Sequence, residues 1–218
     1  MKIAVVTGSS RGIGEAFTAS LLECGYLVYG GSRTESRIDH PNFIDIELDV
    51  RNKKSVEAFY NEIAEKTEVI DVLVNNAGIC EMSSFKDTNE KEFLNNFSTN
   101  AFGSYLVLKG FEEFIIEEET KVFNILSSAH RELNEGTLAY SSSENAKFAL
   151  TQIVKKEWHK YNISFTDIIL PAVATNLWDD YEDIDTDIMM HVNQVKAFFI
   201  DLLGMKSGSK ISQIELSL

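Results

Sequence analysis

Hydrophobic positions along the 218-residue chain follow two alternating rhythms. Short apolar, β-branched runs such as Ile3-Ala4-Val5-Val6 and Leu27-Val28-Tyr29 read as strands buried on both faces. Between them apolar residues return at helical spacing, as Ala16, Phe17, Leu21 and Leu22 do. The pattern predicts strands over 2–7, 27–31, 43–47, 70–75, 121–126, 163–169 and 211–216. It predicts helices over 12–24, 53–66, 90–97, 100–118, 138–160 and 188–203. No repeat, low-complexity tract or linker interrupts this alternation, so it predicts one α/β domain over 1–218. The expected architecture is a doubly wound parallel sheet of about seven strands with helices on both faces.

The first strand runs directly into Thr7-Gly8-Ser9-Ser10-Arg11-Gly12-Ile13-Gly14, and a helix follows. The first amides of a helix have no partner within it, and the helix dipole there favours an anion. Gly8 suits the tight turn, Gly12 the close approach of a pyrophosphate, and Gly14 close packing of helix on strand. The turn, with Ser10, Arg11 and Ile13 among its residues, therefore predicts a dinucleotide site of Rossmann type. The second strand ends at Ser32-Arg33 with no acid at its tip. An acid there binds a ribose 2′-hydroxyl, whereas arginine suits a 2′-phosphate. Arg33, with Arg11 nearby, favours NADP(H) over NAD(H); a solvated surface arginine is the plain alternative.

Composition narrows the partners. Hydrophobic content of 44% and charged content of 25% are those of an ordinary globular protein. A net charge of −14 argues against nucleic acid and anionic membranes as partners. No apolar run approaches the roughly 20 residues of a membrane span. Cys24 and Cys80 lack metal-ligand spacing, so no metal is expected and a reduced, cytoplasmic protein is. Leu106, Leu108, Phe111, Phe114 and Ile115 give the helix at 100–118 more apolar surface than one core-facing stripe needs. With the helix at 138–160 it is the expected interface of a homodimer or tetramer. Six acids crowd into nine residues at 179–187, a block expected to be solvated.

The spacing of Gly8, Gly12 and Gly14, then Asn75-Asn76-Ala77-Gly78, then Tyr140 twelve residues after Ser127-Ser128, resembles the short-chain dehydrogenase/reductase family. The resemblance spans nearly the whole chain and implies hydride transfer between a nicotinamide and a small carbonyl or alcohol. It gives Asp49 of the Asp49-Val50 pair to the adenine and Asn76, Ala77 and Gly78 to the cofactor wall. It gives Asn100 to a proton relay, Ser128 to the substrate oxygen and Tyr140 to the proton itself. Pro171-Ala172-Val173-Ala174-Thr175 resembles the segment that clamps the nicotinamide, through Thr175 and the Val173 backbone. The acidic block then falls in a substrate lid at about 176–200.

At one position the chain departs from the family. The family lowers its tyrosine pKa with a lysine one turn later, and that lysine also bonds the nicotinamide ribose. Here the sequence is Tyr140-Ser141-Ser142-Ser143-Glu144, and an anion a turn away disfavours a phenolate. Lys147 shares the face of Tyr140, since seven residues turn through about 700°, but lies about 10 Å further along the axis. Its plainer role is to pair with Glu144 at i,i+3; its sharper one is to replace the missing lysine. The sequence thus leads to an NADP(H)-dependent oxidoreductase. The alternative is a weak or inactive NADP(H)-binding relative that serves as a sensor or interaction subunit.

Overall fold

The computed structural model describes residues 1–115, 120–161, 163–179, 181, 184–205 and 211–218. Seven parallel strands form one sheet: β1 (Ile3–Thr7), β2 (Leu27–Ser32), β3 (Phe43–Glu47), β4 (Val72–Asn75), β5 (Thr120–Ser127), β6 (Ile163–Leu170) and a last strand, Gln213–Glu215. Two further short strands, β7 (Val173–Ala174) and β8 (Met190–His191), pair apart from it, which makes the last strand β9. The main order is β3-β2-β1-β4-β5-β6-β9. Strands succeed one another leftward from β1 and then rightward from β4. Their carboxyl ends therefore open a crevice between β1 and β4, the switch point of a doubly wound sheet.

Side chains alternate across the pleat and feed two cores. Val5, Tyr29, Leu73 and Val122 face α2 (Lys53–Ala64) and α4 (Gly103–Phe111), where Phe59, Ile63, Leu106 and Phe111 are buried. Ala4, Val6, Val28 and Val74 face α1 (Gly12–Glu23) and α7 (Val192–Gly204), with Phe17, Leu21 and Phe199. The long helix α6 (Leu138–Glu157) lies on the first side, with Leu150 and Val154 against the core. A row of polar side chains crosses the sheet within these apolar layers. Asn75, Asn124 and Asp167 are aligned on adjacent strands, at 3.0 and 3.3 Å between their donors and acceptors. Asn75 donates on to Ser104 of α4 at 2.6 Å, and Gln152 and Lys155 of α6 donate to Asp167.

Several boundaries differ from the sequence pattern. The helices expected at 90–97 and 100–118 are joined: α3 (Glu90–Asn96) passes through a π-helical turn at Phe97–Phe102 into α4. The helical run then closes as a 3-10 turn at Glu112–Phe114, and residues 116–118 of the expected helix lie outside the described residues. The helix expected from 188 begins at Val192, because His191 caps it in a capping box with Gln194. The short helix α5 (Ala129–Glu132) and the β7–β8 pair were not expected. Leu106, Leu108, Phe111 and Phe114 are core residues and Ile115 is half-buried, so the first four supply no interface; among the described residues Phe102, Tyr105 and Ile153 are exposed apolar groups of this region. In the acidic block, positions 180, 182 and 183 lie outside the described residues. Among the described residues no helix is long and apolar enough to cross a membrane.

Phe199 joins α7 to the sheet and to α1, with ring centroids 4.4 Å from Phe17 and 5.1 Å from Phe123. We expect Phe199→Ala to cost about 3–5 kcal/mol in urea unfolding, against near-neutrality for Phe85→Ala on the surface.

Candidate active site

The glycine-rich turn is held by the strands on both sides of it. Thr7 Oγ1 accepts from the backbone N–H groups of Asn76 and Ala77, each at 3.1 Å. Asn76 Nδ2 donates to the Thr7 carbonyl at 2.9 Å, and Gly8 N donates to Gly31 O at 2.7 Å. Gly12 has φ of +60°, a left-handed conformation. A Cβ on Gly14 would lie 2.0 Å from the Gly8 carbonyl oxygen. The N-cap of α1 is Arg11, whose side chain bonds none of the first amides. Those donors open onto a cavity of about 440 Å³ at the switch point.

Every residue given a cofactor or catalytic role from the sequence lines this cavity except Asn100. At its outer end stand Ser10, Arg11 and Arg33, with Ser10 bonded to Thr34 between hydroxyls at 3.0 Å. Asp49 and Val50 form the next wall. Asp49 is gripped by Arg51, whose Nε and Nη2 donate to it at 2.9 and 2.7 Å. That bond holds the Asp49 carboxyl below the usual range, and Arg33 adds to the effect. Arg51 also donates to Asn95 at 3.0 Å. The sequence reading missed Arg51; its place directly after Asp49-Val50 was the only signal. Thr99 borders the cavity, and its buried hydroxyl has no partner among the described residues.

At the inner end α6 brings Tyr140, Glu144 and Lys147 to one wall. Ser128, to which the resemblance gave the substrate oxygen, lines the cavity beside Ser127. The hydroxyl that meets the Tyr140 phenol belongs to Ser127, the last residue of β5. Ser128 lies beyond the strand end and begins α5, its N–H donating to Leu170 O at 2.9 Å. The Ser127 N–H donates to Glu144 Oε2 at 3.1 Å, so one residue fixes both Tyr140 and Glu144. The Tyr140 phenol is pushed well above its usual range, first by burial, then by the Glu144 charge. Cys80 is pushed up to about 12 by burial and Glu144, which keeps it a thiol. The expected Glu144–Lys147 pairing does not form: Lys147 is buried and makes no ion pair among the described residues.

Asn100 sits in the π-helical turn, fully buried. Its Oδ1 accepts from Ile79 N at 2.9 Å, and its Nδ2 donates to Ile79 O and Ser143 Oγ at 3.0 and 2.9 Å. Both amide hydrogens are thus committed to the fold. Thr175 caps a 3-10 turn through a bond from Leu177 N at 3.3 Å, and the Val173 carbonyl accepts from the Trp178 indole at 2.8 Å. Beyond Trp178, the Tyr181 hydroxyl donates to Cys80 O at 2.9 Å and accepts from Met82 N at 3.0 Å. Tyr181 is thereby tied to the backbone of the segment that follows β4. Among the described residues no three His, Cys, Asp or Glu side chains cluster as a metal site.

The model of the short chain dehydrogenase family matches residues 2–186. The chain is 29% identical over 184 residues to the 3-amino-tetrahydro-pyrrolizinone reductase of Xenorhabdus hominickii, covering 83% of this chain and 64% of that protein's length. It is 28% identical over 183 residues to the NAD-dependent glycerol dehydrogenase of Listeria innocua, covering 81% and 72%. In structure it is similar to an alcohol dehydrogenase from Thermococcus sibiricus complexed with 5-hydroxy-NADP. That likeness has a TM-score of 0.89 and 24% identity, over 99% of this chain and 96% of the other.

We expect Gly14→Ala to lower the unfolding temperature by roughly 5–10 °C, because the added methyl displaces the turn. Gly204→Ala, with nothing within 4 Å of its added methyl, is the control and stays within about 2 °C.

Proposed function

The chain belongs to the short-chain dehydrogenase family, and from that premise we propose that it is a nicotinamide-dependent oxidoreductase, preferring NADP(H) to NAD(H) and acting on a small carbonyl or alcohol. The observation that carries this reading is a single cavity that runs from the uncapped start of α1 to the Tyr140–Ser127 pair. The turn fits a pyrophosphate: its cradle leaves no room for a Cβ at Gly14, and the amides beyond it lack a side-chain cap. The dinucleotide, when bound, supplies or accepts the hydride.

The chain's own residues do the rest. Arg33 and Arg11 take the 2′-phosphate, and Asp49 offers an acceptor to the adenine, held in place by Arg51. Thr175 and the Val173 backbone border the nicotinamide end. Ser127 donates its hydroxyl to the substrate oxygen, the role first expected of Ser128. In reduction the Tyr140 phenol passes its proton to that oxygen as it becomes an alkoxide; in oxidation the phenolate takes the proton back. A second reading, a cofactor-binding relative of poor turnover, is favoured by one observation. Glu144 raises the Tyr140 pKa, the direction that hinders return of the proton.

Two experiments test the proposal. Calorimetric titration should find NADP⁺ bound more tightly than NAD⁺, with Arg33→Ala weakening NADP⁺ by about 10-fold and leaving NAD⁺ unchanged. Equal affinities in the wild type would refute the preference. Alcohol oxidation should rise with pH through 10.0 without a plateau, since only the phenolate form accepts the proton and its pKa lies well above that value. Glu144→Gln removes the anion, so the rise should shift to lower pH and the rate at neutral pH should increase. Tyr140→Phe should abolish turnover in both backgrounds. NADP⁺ binding without turnover in wild type and Glu144→Gln alike would leave the second reading standing.

A further inference from the structure

A second cavity, of about 400 Å³, shares the Asn134 and Thr137 wall with the first. The loop between α5 and α6 supplies Leu133 and Glu135 to it, and the segment after β4 supplies Ser84 and Phe85. Several of its polar groups are already committed to neighbours. Ser84 Oγ donates to Asp87 at 2.6 Å. Thr137 Oγ1 donates to the Asn134 carbonyl at 2.6 Å and accepts from Ser141 Oγ at 2.7 Å. What remains open is apolar: Phe85 is 84% exposed and Leu133 62%. Leu133 also has φ of +53°, the one positive value of a non-glycine among the described residues. Glycine or asparagine fills a left-handed helix end at lower cost, whereas leucine there sets an apolar side chain in the cavity wall. Charge separates the two ends of the site. Arg11, Arg33 and Arg51 line the outer part of the first cavity, and Glu132 and Glu135 lie toward the second. Among the described residues no lysine, arginine or histidine lines the second cavity, so an anionic group there would meet Glu135 without a compensating cation.

We propose that the second cavity takes an uncharged apolar tail of the substrate, whose carbonyl or alcohol group lies beside Tyr140. The inference rests on the oxidoreductase reading above and narrows its substrate class to compounds with an apolar tail and no anionic group at the far end. Continuity of the two cavities carries it. Thr137 caps α6 one turn before Tyr140, about 4.5 Å along the axis, and lines both cavities. A tail that runs from the phenol toward the start of α6 therefore passes directly from one cavity into the other. There it covers Phe85 and Leu133, which no residue of the chain covers, and each methylene withdrawn from water adds to affinity.

The test titrates primary amides into the full chain by calorimetry, with and without saturating NADP⁺. An amide presents a carbonyl to Tyr140 and Ser127 but does not take up hydride. From propanamide to octanamide the affinity should rise by roughly 3-fold per methylene until the cavity is filled. The monoamide of suberic acid, as long as octanamide but ending in a carboxylate, should bind at least about 10-fold more weakly than octanamide. Phe85→Ala and Leu133→Asn should each weaken octanamide by about 5- to 10-fold and leave propanamide unchanged. Asparagine tolerates the left-handed backbone at 133, so that variant keeps the loop. A flat series in the wild type, or a series unchanged in both variants, would overturn the inference. Loss of self-association in Phe85→Ala with the series unchanged would overturn it too, and assign the surface to a second copy of the chain. A rise with length in a chain that binds no NADP⁺ would keep the tail site and overturn the oxidoreductase reading. A flat series in a chain that binds NADP⁺ would do the reverse.

Discussion

The site depends on how closely two pieces of backbone approach each other. The start of α1 lies against the turn that leaves β1, so close that a methyl on Gly14 would overlap the Gly8 carbonyl oxygen at 2.0 Å. Thr7 and Asn76 hold that approach from the sheet side by exchanging bonds between the ends of β1 and β4. The helix amides consequently open at the bottom of the crevice rather than above it. From there the cavity wall follows in order: Arg33 at the tip of β2, the Asp49–Arg51 fork, and then the α6 face with Tyr140.

What was legible in the sequence was local. The glycine turn, the strands and the helix that carries Tyr140 each declare themselves within a few residues, where glycine placement and apolar period are strong signals. The parts that were not legible depend on where an element ends or on contacts across the fold. The start of α7 at Val192 depends on the capping box that His191 forms with Gln194. The apolar excess at 106–114 was absorbed because α4 packs between the sheet, α2 and the Trp158 turn rather than against a flat face. The Tyr181 latch joins residues some hundred positions apart, and no periodicity encodes it.

The exchange of charge on α6 changes how the site is balanced. A glutamate one turn after Tyr140 is anchored to the same residue that meets the phenol, so its charge is fixed in place and not free to swing away. The lysine of this face, Lys147, stands on the next turn in a buried position, and burial holds its pKa below the usual range.

The polar row formed by Asn75, Asn124 and Asp167 bears on how the sheet finds its alignment. β5 and β6 are apolar on both faces, so greasy contact alone would tolerate a shift of one strand along the other by two residues. Such a shift would set Asp167 against Val122 or Leu126 in place of Asn124 and bury a carboxylate beside hydrocarbon. The row therefore acts as a key that admits one alignment. It excludes misthreaded sheets during assembly, and because Ser127 and α6 hang from those strands, it sets where the Ser127 and Tyr140 hydroxyls come to rest.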